Sequence, residues 1–301
     1  MTVSHVAVIG AGVAGLSCAS ALKMAGRHVK VVEKSRAAAG RMSTRRGDGW
    51  QCDHGAQYFT ARHPDFRAEV SRWVQIGVAA PWKARIAVLG GAEGHRADST
   101  VERFVGLPQM TAPARRIAET LDLATHTTIV QLDRRADGWQ LKSAEHGWLE
   151  QRFDAVLFAV PAPQVVPLLL QPSPQLAALA ASAIMRGCWA LMLRFGLPVE
   201  LPFDAAFVNG NALSWIARDN SKPERNGLET WVLHASAEWS EAHMELHGDA
   251  VASELLHAFR MLGGPVPIAY TGHRWRYADT SPVLDEGCAW HRNDGLGLCG
   301  D

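Results

Sequence analysis

Gly10, Gly12 and Gly15 stand in the spacing Gly-x-Gly-x-x-Gly directly after the apolar run Val6-Ala7-Val8-Ile9. Glycines so placed suit a dinucleotide pyrophosphate. Gly10 permits the tight turn, Gly12 lets backbone approach the phosphates, and Gly15 lets the following helix pack closely on the strand. The helix N-terminus adds free N–H groups and about half a positive charge. Glu33, eighteen residues beyond Gly15, is placed to accept hydrogen bonds from a ribose diol. A charge-assisted bond of that kind contributes about 1.5–3 kcal/mol and favours an unphosphorylated ribose over a 2′-phosphate. Ala14 in the turn and Lys34 after the acid complete the candidate contacts. The elements that must position these groups are a strand ending at Ile9, a helix from Gly12 to Ala25 stopped by Gly26, and a second strand over Val29–Val32. Together they make a complete βαβ unit. A glycine-rich turn without a ligand would not need the acid at that place.

The loop after Glu33 is basic and rich in small residues, Lys34 to Arg46. A guanidinium fork matches phosphate oxygens, and Arg41, following Gly40 and preceding Met42, is the candidate to supplement the helix dipole. A solvated basic loop is the plainer reading of four arginines in such a stretch.

The whole chain narrows the classes of function. Its 301 residues, 48% of them hydrophobic, suffice for one or two domains with a large core. Lys and Arg number 30, as do Asp and Glu, so no global field draws nucleic acid or an anionic membrane, and a small-molecule substrate is expected. Five scattered cysteines without a Cys-x-x-Cys fit a reducing compartment, and the glycine-interrupted N-terminus is read as fold rather than signal peptide, so the expected location is cytoplasmic. No apolar run reaches the roughly 18–20 residues of a membrane span. His243 and His247 have a metal-like spacing, but Met244 stands where a zincin motif needs Glu, and no metal is expected. Neither a Gly-x-Ser-x-Gly elbow nor a Walker loop is present.

Asp53-His54-Gly55-Ala56-Gln57-Tyr58 follows the basic loop, and the chain closes on Gly300-Asp301. With the glycine fingerprint, Glu33 and Gly40-Arg41-Met42, these motifs resemble the FAD-dependent amine oxidase superfamily, most closely its renalase-like bacterial branch. The resemblance implies an FAD cofactor, with Arg41 on the pyrophosphate and Gly55, Ala56 and Gln57 beside the isoalloxazine ring. It further implies that the backbone at Ile129 meets adenine and that Asp301 holds the ribityl chain. Relatives usually carry Gly-Gly before the arginine, where this chain has Ala39-Gly40. They also continue past Gly-Asp into a helix whose N-terminus faces the flavin pyrimidine, so altered flavin retention and tuning are expected of a chain ending at Asp301.

Further along, Ala61 to Arg103 shows no strong period and reads as a first excursion into a second domain. A helix is expected after Gly106-Leu107-Pro108, running through about Leu123, then a hairpin from Thr127 to Lys142 and a buried strand over Phe153–Pro161. A helix from Pro174 to Met185, a run of strands and a helix from Ser240 to Leu262 suggest an antiparallel sheet packed on one side. Trp215, Trp231, His234, Trp275 and Tyr277 are candidates to line an aromatic pocket over a flat cofactor, although large aromatics more often mark packing. Arg218 to Pro223 resembles a loop of the renalase-like branch.

The expected fold is α/β, a doubly wound, Rossmann-like FAD-binding domain (1–60, 104–170 and 265–301) with an inserted mixed α+β substrate domain (61–103 and 171–264). The resemblance implies an oxidase that takes a hydride from a misreduced dihydronicotinamide (an NAD(P)H isomer) to flavin N5 and passes electrons to O2, giving H2O2. The candidate catalytic residues are Gln57, Tyr58, Trp215, His234 and Trp275. Alternatives are a small-amine oxidase, a catalytically silent nucleotide-binding protein, and a plain NAD-dependent dehydrogenase, which leaves Arg41, the Gly-Ala-Gln-Tyr run and the Gly-Asp end unexplained.

Overall fold

The computed structural model describes residues 3–91 and 100–300, and its contacts divide the chain into two compact units. The first comprises Met1–Arg41, Ala114–Met185 and Asp279–Asp301, the second Met42–Pro113 and Arg186–Ala278.

The first unit is built on the parallel pair His5–Ile9 and His28–Val32, in register from His5 opposite His28 to Ile9 opposite Val32. The helix Val13–Met24 crosses between them. Ala155–Phe158 and Leu296–Cys299 extend the parallel sheet on one side and Asp122–Ala124 on the other, while Cys288–His291 adds an antiparallel edge. The helices Ala162–Leu169 and Pro174–Ser182 bury Val165, Leu169, Leu176 and Ala180 beneath the sheet with Val156, Phe158 and Leu296. Strands covered in this way read as continuous apolar runs, which Val6–Ile9 and Ala155–Phe158 do. A separate three-stranded antiparallel sheet, Ile129–Arg135, Gly138–Ser143 and Gly147–Phe153, completes the unit. Its first two strands are the expected hairpin, and the third was not anticipated.

The second unit carries a six-stranded sheet whose neighbours in space are Ala269–Thr280, Met185–Phe195, Glu229–Ala235, Leu213–Arg218, Ala205–Val208 and Ile86–Leu89. Pairing is antiparallel from Met185–Phe195 through to Ala205–Val208, and Ile86–Leu89 joins parallel to the last of these. Alternation along the strands separates two faces. Leu191, Leu193, Ile216, Trp231 and Leu233 join Val251, Leu255 and Phe259 of the helix Gly248–Met261 in one core. Met192, Trp215, Ala217 and Val232 point to the other face, where Cys52, Trp82, Val105 and Met110 cover them.

Several expectations are corrected. The unit boundaries fall at 41/42, 113/114, 185/186 and 278/279, so 42–60, 104–113 and 265–278 go with the second unit and 171–185 with the first. The reasons are local: Phe104–Gly106 pairs with Ala79–Pro81, the hairpin Thr44–Gly47 and Trp50–Asp53 packs Cys52 into the second core, and Pro174–Ser182 packs in the first. The helix expected to reach Leu123 is short, Ala112–Ala118, because Asp122–Ala124 pairs with Lys30–Val32. Residues 61–103 hold the helix Pro64–Gln75, which buries Val70 and Trp73. The helix expected over 240–262 is two, Ala237–Ala242 and Gly248–Met261, so His243 and His247 cap different helices. His243 stacks on Trp239 at 4.1 Å and His247 pairs with Asp249 in solvent. Among the described residues no cluster of His, Cys, Asp or Glu has metal-binding geometry, and no helix is long and apolar enough to cross a membrane.

Candidate active site

In the first unit the glycines form a cradle with one open wall. A methyl group on Gly10, whose φ is +104°, would lie 2.5 Å from the Ala159 carbonyl oxygen; one on Gly15 would lie 2.1 Å from the Gly10 oxygen. Gly12 is different: a Cβ there would meet nothing within 4 Å. It is also the N-cap of the helix, with extended backbone and no side-chain cap. The first turn therefore has no side-chain cap, and the space beside Gly12 is open, as an anion site at a helix N-terminus requires.

Two further segments close on this turn. Ala39 donates its N–H to the Ala11 carbonyl at 3.0 Å, and a Cβ on Gly40 would sit 3.3 Å from Gly12 Cα. Ala39 itself has φ +120°, a conformation suited to glycine. That explains why the resemblance has Gly-Gly at this place. At the other end of the chain, Gly300 lies 3.5 Å from Ala14 Cβ when its own Cβ is built. Glu33 is buried and accepts from the Ala11 N–H at 2.8 Å and the Ser35 N–H at 2.8 Å. Each carboxylate oxygen keeps one lone pair for a ribose hydroxyl.

Gly10, Gly12, Ala14, Gly15, Glu33, Gly40 and Gly300 thus share one end of the first unit. Arg41 ends this segment and is half-buried. Lys34 is exposed and donates to Gln164 at 3.1 Å, and Ile129 opens its strand opposite Ser143 with its side chain in the core. Met42 packs in the second unit beside Cys52, and Asp301 lies outside the described residues.

The second unit places a cluster of rings on the sheet face opposite the helix Gly248–Met261. His54 is buried, stacks on Trp275 at 5.2 Å, and meets the edge of His273 at 4.7 Å. The His54 carbonyl accepts from Trp275 Nε1 at 3.0 Å and lies 3.1 Å from His234 Nε2. A carbonyl partner requires His234 to carry its proton on Nε2. Burial holds all three imidazoles neutral, His54 down at about 3, His234 and His273 at about 4. Tyr58, Trp82, Trp215 and Phe207 form an adjoining aromatic group, with Trp215 opposite His234 in the strand register. Two buried polar atoms of this face, His54 Nδ1 and Trp215 Nε1, have no hydrogen-bond partner in the protein. Trp231 does not belong here: it fills the opposite core and donates to Glu229 at 2.9 Å.

Beneath these rings lies a fully buried charge quartet that sequence reasoning missed. Asp53 accepts from Thr44 Oγ1 (2.5 Å), the Met110 N–H (3.2 Å), Lys222 Nζ (3.1 Å) and Arg225 Nη2 (2.8 Å). Lys222 also donates to Asp219 at 3.0 Å and to Gln57 Oε1 at 3.2 Å. Arg225 donates further to the carbonyls of Gly106 and Pro108. Burial alone would raise the Asp53 carboxyl, but Lys222 and Arg225 outweigh it and hold Asp53 at about 2. Asp219 is raised, chiefly by burial, whereas the two carboxylates keep Lys222 above its ordinary value despite burial. The Gln57 amide donates to the Asp53 and Gly55 carbonyls, so its side chain is committed inside this network. Arg218 pairs with Glu229 at 2.8 Å. The signal was the run Arg218-Asp219-Asn220-Ser221-Lys222-Pro223, whose alternating charges lie far from Asp53 in sequence.

Comparison with known proteins agrees with this architecture. Residues 8–73 match the NAD(P)-binding Rossmann-like domain and residues 82–283 match the flavin containing amine oxidoreductase family. An L-amino-acid oxidase of Siganus canaliculatus is 43% identical over 68 residues, 22% of this chain and 13% of that protein. The match thus covers a small part of this relative. Among solved structures, a provisionally named protoporphyrinogen oxidase of Exiguobacterium sp. 255-15 superposes with TM-score 0.77 at 11% identity, over 99% of this chain and 94% of the other. Cyclohexylamine oxidase of Brevibacterium oxydans superposes with TM-score 0.68 at 14% identity, over 91% and 85%. These likenesses show the fold.

Proposed function

Because the chain belongs to the flavin containing amine oxidoreductase family, we propose that it is an FAD-dependent oxidase whose substrate is a flat dihydronicotinamide isomer, oxidised at the expense of O2. The cradle fits FAD: glycines where side chains would clash, an uncapped helix N-terminus, and a carboxylate with free lone pairs toward a ribose. Bound FAD supplies a two-electron acceptor that takes a hydride and is reoxidised by O2 to give H2O2.

The observation that carries the substrate class is the ring cluster His54–His273–Trp275 with His234, all uncharged near neutral pH. Neutral, partly desolvated rings stack a flat heteroaromatic substrate well. The orphaned His54 Nδ1 and Trp215 Nε1 are suited to its polar edge. No proton transfer is asked of this face, because hydride loss from a dihydronicotinamide needs no base. Lys222, whose ammonium makes three contacts inside the quartet, orients Gln57 and Asp53 rather than a substrate. The family match supports a second reading, oxidation of a small amine. Hydrogen peroxide release measured with each substrate class separates the two. Turnover with misreduced NAD(P)H isomers and none with an amine panel supports the proposal, whereas the reverse pattern overturns it in favour of the amine.

A further inference from the structure

Three of the five free cysteines meet in the first unit. Leu296 and Leu298 point into the core under the parallel sheet, so alternation turns Cys299 to the face along which the helix Val13–Met24 runs. Gly300, at the end of that strand, approaches Ala14. Cys18 lies one helical turn beyond Ala14 on the same helix face, and its thiol is hydrogen-bonded to Cys299. Cys288 stands directly opposite Cys299 in the antiparallel register and is exposed. Cys288 and Cys299 also border an apolar cavity of about 260 Å³ whose walls include Phe158, Val165 and Leu284.

We infer that Cys18 and Cys299 form a dithiol modification site at which hydrogen peroxide is reduced and a disulfide closes between the two sulfurs. The Cys18 thiolate attacks the peroxide O–O bond, giving a Cys18 sulfenic acid and water. The Cys299 sulfur then attacks Cys18, expelling the sulfenic oxygen as a second water. Two thiols and one peroxide become one disulfide and two waters; both sulfurs are oxidised by one electron and both peroxide oxygens are reduced by one.

The roles follow from the hydrogen bond. Cys299 donates to Cys18, which brings the Cys18 thiol down to about 7 against the opposing effect of burial. Cys18 is therefore the thiol of the pair that ionises first, and Cys299, whose thiol is raised by donating to Cys18, is the resolving partner. Cys52 and Cys188 serve as internal controls, since burial pushes both thiols up, Cys188 to about 12. The disulfide would pin the glycine-turn helix to the strand ending beside Gly300, a device suited to a protein exposed to peroxide. The site does not depend on the oxidase reading, because the oxidant is supplied in the test.

Purified protein is treated with stoichiometric hydrogen peroxide, digested without reductant and mapped by mass spectrometry. The expected result is a peptide pair joining Cys18 to Cys299, lost on adding dithiothreitol. The C299S variant is expected to accumulate a Cys18 sulfenic acid trapped by dimedone, and C18S to slow peroxide-dependent thiol loss at least tenfold. Oxidation confined to Cys288, a Cys288–Cys299 link alone, or equal thiol loss in wild type and C18S would overturn the proposal. Mapping of the wild type needs no variant to fold.

Discussion

Lowering the pH from 7 to 5 should destabilise this fold far more than a protein with solvated histidines. His54, His234 and His273 sit at about 3, 4 and 4, against an ordinary value near 6.5, because burial disfavours their charged forms. In the unfolded chain all three take up protons below about pH 6.5, while in the native state they stay neutral. The unfolded state then binds more protons, so stability is complete above pH 6.5 and falls as pH drops toward 4. His54 and His234 each contribute about 2 kcal/mol of loss at pH 5, from 1.36 kcal/mol per unit over roughly 1.5 units, and the partly exposed His273 contributes about half of that after solvent screening. Together they give about 5 kcal/mol as an upper bound, comparable with the whole stability of many domains. Asp53, held at about 2, adds to the loss only below its ordinary value of 3.8, whereas Asp219, raised by burial, opposes the loss above that value. Urea unfolding followed by tryptophan fluorescence at half-unit steps of pH measures this directly. A His273→Phe variant should flatten the slope by about one proton. Stability that is unchanged between pH 7 and 5 would refute the assignment of three neutral imidazoles.

Lys222→Met removes one cation from a quartet whose members are at most 4% exposed, leaving two carboxylates with Arg225 alone. Breaking such a buried pair costs about 3–5 kcal/mol, read as a lower urea midpoint; a change below 1 kcal/mol would contradict the network. Ala39→Gly relieves a residue at φ +120° and should raise the thermal midpoint, by about 1 kcal/mol after the glycine entropy cost. Gly12→Ala meets open space, so apo stability should change by no more than about 0.5–1 kcal/mol, while FAD affinity should fall at least tenfold in equilibrium dialysis. Unaltered FAD affinity in that variant would place the phosphates elsewhere.

What was legible in the sequence was the chemistry of short range. The βαβ unit announces itself because glycine spacing, an uninterrupted apolar strand and an acid at the next strand end are all local patterns, and the structure brings those residues to one end of one unit. The strands from Cys188 to His234 were equally readable, since alternation along each predicts which residues share a face. Local patterns fail where partners are distant. Asp53 gives no hint that Lys222 and Arg225 will neutralise it, and three cysteines that look scattered converge only where a helix and an antiparallel edge strand meet the last strand of the sheet. Trp231 and Trp215 are indistinguishable by type; strand parity alone sends one into the helix-covered core and the other to the ring face. The single helix expected after Ser240 failed because two caps, His243 and His247, interrupt its amphipathic run.

The central claim is tested by the visible absorption of the purified 301-residue chain incubated with FAD and freed of excess, recorded before and after anaerobic addition of dihydronicotinamide isomers. The account predicts a protein-bound flavin band that bleaches on addition and returns when air is admitted. A protein that retains no flavin band under these conditions would contradict it.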